Sequence, residues 1–116
     1  MNTISRTITN PWHVKLKPFE KHGLAIPQIS WHDISLDKET GFGAFILSML
    51  PGAKSASHKR LGFEEIYILE GGLIDADGTV LQKGEFITFE PGSIDSTYTS
   101  KGCLLLVIVR ESSPTH

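Results

Sequence analysis

Short apolar and alternating segments, separated at close intervals by glycine- and proline-containing turns, constrain this chain more than any other feature. The 11 glycines and 6 prolines are spread along the 116 residues and are not pooled in a linker. Residues 29–36 and 85–89 alternate in polarity, whereas residues 43–50 and 103–109 are almost continuously apolar. Both patterns are typical of strands, and the periodicity of an amphipathic helix is almost absent.

Two β-rich stretches in the middle of the chain complete the set of predicted strands. Residues 66–69 are apolar and aromatic, and residues 72–74 and 79–81 flank the turn Asp75-Ala76-Asp77-Gly78 as the arms of a hairpin. We expect eight to ten short strands in an all-β, antiparallel sandwich or barrel whose edges are closed or paired.

The predicted strands fall into a single domain of ordinary size. Residues 29–110 are expected to form the barrel. Residues 1–28, which three prolines interrupt, are expected to form strands that pack on the barrel or on a dimer partner, and residues 111–116 a frayed tail.

Charge and cysteine content narrow the range of partners. The formal net charge of −2 provides no basic field for nucleic acid or for an anionic membrane, so neither is expected as a partner. The only cysteine, Cys103, lies in an apolar run and is expected to be a small buried hydrophobe. With no signal-peptide pattern at the N-terminus, we expect a reducing, cytoplasmic location.

A group of chemically active residues follows the Pro51-Gly52 turn. On a strand, residues two apart share a face, so His58 and Arg60 point the same way, and Glu64 shares its face with Ile66 on the next strand. A histidine, an arginine and a glutamate therefore converge inside the predicted barrel. Glu65 is expected on the opposite face and would replace Glu64 only if the register shifted by one residue.

The spacing of these residues resembles the first sequence motif of the cupin family. In that motif a glycine is followed by His-x-His, a glutamate and a second glycine, and Gly52, His58, Glu64 and Gly71 match it, with Arg60 at the place of the second histidine. The resemblance implies an antiparallel double-stranded β-helix, or jelly-roll barrel, of the RmlC-like type.

The second cupin motif can be aligned with residues 84–99, where Asp95 stands in place of a histidine. The turn Pro91-Gly92-Ser93 and the segment from Glu64 to Gly71 are similar to the ChrR-type branch, the cupin domain of zinc-bearing anti-sigma factors and its single-domain relatives.

The resemblance implies one divalent metal, commonly iron, zinc, manganese or nickel, and leaves His58, Glu64 and Asp95 as its candidate ligands. Arginine offers only donors and cannot replace a histidine ligand. Three arrangements follow: a metal on His58, Glu64 and Asp95; a metal-free cluster in which Arg60 pairs with Glu64 and Asp95; or separate surface positions. We favour the metal-free cluster over the metal centre, because two ligands are replaced together by opposite charges.

Three functions are compatible with this sequence. The first is a small cupin that binds an organic carboxylate or carbonyl compound, with Arg60 as anchor, His58 and Arg60 as the candidate catalytic pair, and Tyr67 and Tyr98 as further ligand contacts. The second is a metal-dependent dioxygenase or isomerase, and the third a non-catalytic regulatory domain. A homodimer is expected in each case, through the outward side chains of the sheet.

Overall fold

The strand-forming segments of the sequence build the fold. A computed structural model describes residues 3–21 and 23–111, with the exception of the His58 side chain. In this part of the chain there are nine strands and no helix, and hence no helix that is long and apolar enough to cross a membrane. The strands are β1 (Lys17–Lys21), β2 (Leu24–Asp33), β3 (Gly43–Met49), β4 (His58–Lys59), β5 (Phe63–Ile74), β6 (Val80–Gln82), β7 (Phe86–Phe89), β8 (Ile94–Asp95) and β9 (Cys103–Arg110).

All strand pairs are antiparallel, as expected for a jelly-roll barrel. The main sheet runs β1-β2-β3-β9-β5-β6, and β7 pairs with β5 beside it. The short strands β4 and β8 form a second sheet, in which His58 is the register partner of Asp95. The pairing of β4 with β8 thus brings the two sequence motifs together at one point of the fold.

The core lies between the inner faces of the sheets. Strand β9 illustrates the alternation: Cys103, Leu105 and Val107 are buried, and the residues between them are half-buried. Facing residues from the other strands and from the loop after β3 complete a cluster of buried side chains. These residues are Ile29, Met49, Ala53, Ile66, Ile68, Leu73 and Leu81.

Two strand boundaries in the structure differ from those that the sequence predicts. The strand predicted over residues 29–36 ends at Asp33, because the carboxylate of Asp33 accepts a hydrogen bond from the Leu36 amide at 2.9 Å and turns the chain. The segments predicted separately at 66–69 and 72–74 are one strand, β5, with an irregular register between Ile68 and Glu70.

The N-terminal segment contributes strands to the main sheet. Strand β1 pairs with β2, and β2 pairs with β3, so this segment continues the barrel wall. The β1–β2 register shifts after Pro18, and Gln28, which follows Pro27, has a positive φ of 67°. These irregularities bend the hairpin formed by β1 and the first half of β2.

Candidate functional site

Arg60 lies at the centre of a buried group of charged side chains. Its Nε donates to Glu64 Oε1 at 3.0 Å and its Nη1 donates to Asp95 Oδ1 at 2.7 Å. The Arg60 side chain is 5% exposed, and those of Glu64 and Asp95 are 18% and 14% exposed. This single cation therefore pairs with two carboxylates in a largely dehydrated setting.

The backbone on both sides of Arg60 explains why its side chain points inward. Its amide donates to Ser93 O at 3.0 Å, and its carbonyl accepts from Gly92 N at 2.7 Å. The turn Pro91-Gly92-Ser93 thus fixes residue 60 directly after β4. Glu64 lies on β5 with the inward-facing Ile66 and Ile68, as strand alternation predicts.

Two contacts of Arg60 were not predicted from the sequence. The Arg60 Cζ atom lies 3.9 Å from the centroid of the Phe89 ring, and Nη1 lies 3.4 Å from Ser93 Oγ. A guanidinium over an aromatic face is a favourable cation–π arrangement. The position of Phe89 at the end of an alternating strand gave no signal of this role.

A third carboxyl group, that of Asp75, joins the cluster through Asp95. Burial raises the pKa of Asp75 from 3.8 to about 6, and two effects of Asp95 add to it. The protonated Asp75 carboxyl donates a hydrogen bond to Asp95, and the negative charge of Asp95 disfavours ionisation of Asp75. The sequence indicates only a turn residue at this position, because the contact between Asp75 and Asp95 depends on how the β5–β6 hairpin packs beside β8.

The described side chains do not form a metal-binding set. Glu64 and Asp95 both accept hydrogen bonds from Arg60, which has no lone pair to offer a metal. In the described part of the chain, we find no group of three or more histidine, cysteine, aspartate or glutamate side chains that is arranged to hold a metal ion. The His58 side chain is not among the described ones. The predicted role of His58 therefore lies outside the described residues.

A cavity of about 260 Å³ extends from this cluster through the barrel. Arg60 and Glu64 line one part of it, and Ser55 and Thr97 contribute two further polar side chains. Most of the wall is apolar and comes from β1, β2, β3, β5, β9 and the loop after β3, through Phe19, Ile26, Ile29, Phe45, Leu47, Met49, Ala56, Ile66, Leu73, Leu105 and Val107. The cavity suits a small and mainly apolar molecule.

The two tyrosines that were predicted as ligand contacts do not line this cavity. Tyr67 shares the outward face of β5 with Glu65 and packs against Phe86, with ring centroids 6.5 Å apart. Tyr98 is bridged through its backbone to Lys54 and Ile74, and its side chain is exposed. Alternation along β5 explains the first result, since Glu64 and Tyr67 lie on opposite faces.

Glu65 and Cys103 have the environments that the sequence predicts. Glu65 lies on the outer face, where its carboxylate accepts from Arg110 Nε at 2.9 Å. Cys103 is a buried free thiol, and burial raises its pKa to about 11. Such a thiol stays protonated near neutral pH and is a poor nucleophile.

Comparison with known proteins places this geometry among cupins. The family described as "ChrR Cupin-like domain" matches residues 11–112. No curated protein matches the sequence.

Solved structures share the fold at low sequence identity. The polyketide cyclase RemF from Streptomyces resistomycificus has a TM-score of 0.73 and 21% identity over 96% of this chain and 83% of its own. An acetylacetone dioxygenase from Acinetobacter johnsonii has a TM-score of 0.66 and 18% identity over 94% of this chain and 80% of its own. Rhodobacter sphaeroides SigE in complex with the anti-sigma ChrR has a TM-score of 0.68 and 14% identity over 85% of this chain, which spans 50% of the matched chain.

Proposed function

Because the chain belongs to the family of ChrR cupin-like domains, we propose that it is a metal-independent cupin that binds a small organic ligand in its barrel. In this proposal Arg60 and Asp95 replace two of the family's histidine ligands, and the guanidinium takes the place of the metal charge. The ion-paired state of the buried Arg60 carries the proposal.

Electrostatics supports this exchange of a metal for an arginine. A divalent ion 5 Å from a guanidinium would be repelled by about 7 kcal/mol at an effective dielectric constant of about 20. The two carboxylates that would have to bind the metal already pair with Arg60 at 3.0 and 2.7 Å. A metal would therefore have to displace both ion pairs and move a buried cation.

The shape and lining of the cavity support the binding of an organic molecule. Its wall is largely apolar, and burial of apolar ligand surface would provide most of the binding free energy. The Arg60 fork is engaged by Glu64 and Asp95. A ligand carbonyl or carboxylate would thus meet an arginine that is already paired with two carboxylates.

A regulatory role is the second candidate, and the family match favours it. A solved relative is the anti-sigma ChrR in complex with SigE, which identifies a cupin of this type in a protein assembly. In the regulatory version of our proposal, the barrel binds its ligand without turnover and the ligand-bound form is recognised by a protein partner. Turnover of a bound ligand would identify the protein as an enzyme and would argue against a regulatory domain.

The experiment that tests the metal-independent site compares the wild type with Arg60→His and Arg60→Lys. Arg60→His restores the His-x-His spacing and replaces a donor-only side chain by a metal ligand, whereas Arg60→Lys keeps the charge. After purification without chelator, we expect no stoichiometric transition metal in the wild type or in Arg60→Lys. On titration with Co²⁺ we expect visible d–d absorption only in Arg60→His.

The opposite result is equally clear. About one equivalent of transition metal in the purified wild type, lost in His58→Ala, would overturn the proposal and favour the metal centre on His58, Glu64 and Asp95. The same measurement would leave the family and the fold unchanged.

We further propose a homodimer in a reducing, cytoplasmic location. Exposed aromatic side chains on the outer face of the sheet, Tyr67 and Phe86, support a subunit contact there. The free, buried thiol of Cys103 is compatible with a reducing compartment.

A further inference from the structure

Among the described polar side chains along the cavity, some already have hydrogen-bond or ion-pair partners, and one does not. Ser55 Oγ and Thr97 Oγ1 are 3.0 Å apart, and the Thr97 amide donates to Ser55 Oγ at 2.9 Å. Arg60 and Glu64 are ion-paired with each other. These groups satisfy one another, so an incoming ligand gains little by hydrogen bonding to them.

Lys21 is the exception among the cavity-lining residues. It is exposed, lies on β1, and makes no ion pair with any side chain in the described part of the chain. By contrast, Lys83 pairs with Glu70 and Arg110 pairs with Glu65. Because Lys21 is exposed and also lines the apolar cavity, its long side chain can bring the ammonium group to an anion at the exposed part of the cavity.

The bend in the first hairpin accounts for the position of Lys21. Lys21 on β1 is the register partner of Leu24 on β2. Leu24 precedes Ile29 by five residues, and Ile29 is paired with Met49, the last residue of β3. A straight hairpin would project past the end of β3, yet Phe19, Lys21 and Ile26 line the same cavity as Met49. The irregularities after Pro18 and at Gln28 thus turn the hairpin toward the barrel interior.

We propose that the ligand is an amphipathic monocarboxylate, with its apolar body inside the barrel and its carboxylate at Lys21. This inference rests on the proposed function, but it reverses the orientation that an Arg60 anchor would impose. The charged end is at the exposed part of the cavity, and the apolar end lies deeper, toward the part that Arg60 lines. The walls between these ends are almost entirely apolar.

The cavity volume sets the size of the ligand. One water molecule occupies about 30 Å³ in the liquid, so a cavity of about 260 Å³ has the volume of about nine water molecules. This volume corresponds to a ligand of about ten non-hydrogen atoms. Octanoate has this size. Up to that length, each added methylene should increase affinity about fourfold, because it is transferred from water to an apolar wall.

The test measures the binding of butanoate, hexanoate, octanoate and decanoate by calorimetry, with octan-1-ol and octylamine as ligands of equal chain length and different charge. The variants are Lys21→Gln and, as a matched control at an exposed position outside the cavity lining, Lys38→Gln. Ala56→Phe places a bulky side chain at an exposed position of the cavity wall and should block every ligand.

We expect affinity to increase with chain length to octanoate and to exceed that for octylamine. Lys21→Gln should weaken octanoate binding about threefold to fivefold, the effect of one exposed ion pair, and should leave octan-1-ol unchanged. Lys38→Gln should match the wild type.

Two other outcomes overturn different parts of the argument. Equal affinity for octanoate, octan-1-ol and octylamine, unchanged in Lys21→Gln, would overturn the carboxylate assignment and leave an apolar binding site intact. No binding of any of these probes to a protein that folds normally would overturn both the carboxylate assignment and the proposed binding function.

Discussion

Arg60 is the centre of the buried charged cluster in the barrel. A buried guanidinium needs carboxylate partners, and the fold provides Glu64 from β5 and Asp95 from β8. The ring of Phe89 covers the guanidinium at 3.9 Å. With three sides occupied in this way, Arg60 acts as an internal counter-ion, which is why we assign ligand recognition to the apolar wall and to Lys21.

The carboxyl group of Asp75 interacts with Asp95 and so extends the charged cluster. Its folded-state pKa of about 6 lies above its ordinary value of 3.8, so the folded protein binds this proton more tightly than the unfolded chain. The stabilisation that results is fully present below the unfolded pKa and is lost as the pH increases through about 6.

Replacement of Asp75 by asparagine should therefore remove one pH-dependent contribution to stability. Asp75→Asn keeps a side chain of the same shape but cannot acquire the negative charge that is unfavourable beside Asp95. We expect a higher melting temperature than the wild type at pH 7.5, with the difference decreasing toward pH 5. Thermal unfolding at several pH values measures this difference.

Asp77→Asn is the matched control in the same turn. Asp77 is exposed, and hydrogen bonds from Thr79 lower its pKa. Between pH 5 and pH 7.5 it should show the pH dependence of the wild type. A constant difference in melting temperature between Asp75→Asn and the wild type over this range would show that the Asp75 proton does not contribute.

At the scale of elements, β5 organises the molecule. Its first half pairs with β9 and β7, its second half pairs with β6, and Glu64 lies near its start. Between the halves, Gly71 has a φ of 73° and its position opposite Cys103 leaves no room for a side chain: a Cβ there would collide with the carbonyl oxygen of Gly102. The glycine is thus required by close backbone contact as well as by conformation.

Gly71→Ala should destabilise the protein more than Gly78→Ala, although both glycines have positive φ. Gly78 lies in the β5–β6 turn, and a Cβ there would meet no atom within 4 Å. We expect Gly78→Ala to lower the free energy of unfolding by about 1 kcal/mol through conformational strain alone. Because backbone atoms must also move, Gly71→Ala should lower it by about 3 kcal/mol or more.

Urea denaturation of the two variants measures these losses. Equal losses would mean that the contact with Gly102 can relax without cost, and the β5–β9 pairing would then be less rigid at this point than the structure indicates.

At the scale of the whole molecule, the barrel has an interior that is apolar apart from the Arg60 cluster, and an outer face that carries exposed aromatic side chains. Tyr67 and Phe86 are 37% and 54% exposed and lie side by side across β5 and β7. Beside them, Glu65 and Arg110 form an ion pair, and the Arg110 Cζ atom lies 4.0 Å from the centroid of the Phe63 ring. A second copy of the chain would cover this face with the same residues in a symmetric contact.

We therefore expect a mass of twice 12.8 kDa in solution, and a shift toward the monomer in Phe86→Glu. A charge placed among exposed aromatic side chains at a subunit contact is desolvated without a partner, which weakens the contact. Leu61→Glu, at an 86% exposed position outside this face, is the control. Sedimentation equilibrium measures the masses, and a monomeric wild type would contradict the dimer.

The sequence by itself determined the strand content, the single barrel and the inward direction of Arg60 and Glu64. Alternation and turn residues are local properties, and they act wherever a strand has one buried face. The same alternation predicted that Glu65 points outward, where it pairs with Arg110.

The tertiary structure decided which further groups meet the pairs that Arg60 forms with Glu64 and Asp95. Phe89 and Asp75 approach the Arg60 cluster through the pairing of β7 with β5 and the packing of the β5–β6 hairpin, and Lys21 reaches the cavity through the bend after Pro18 and at Gln28. Tyr67, in contrast, lies outside the cavity because its strand face is opposite to that of Glu64. These contacts join residues distant in sequence, and no local pattern encodes the register and bends that bring them together.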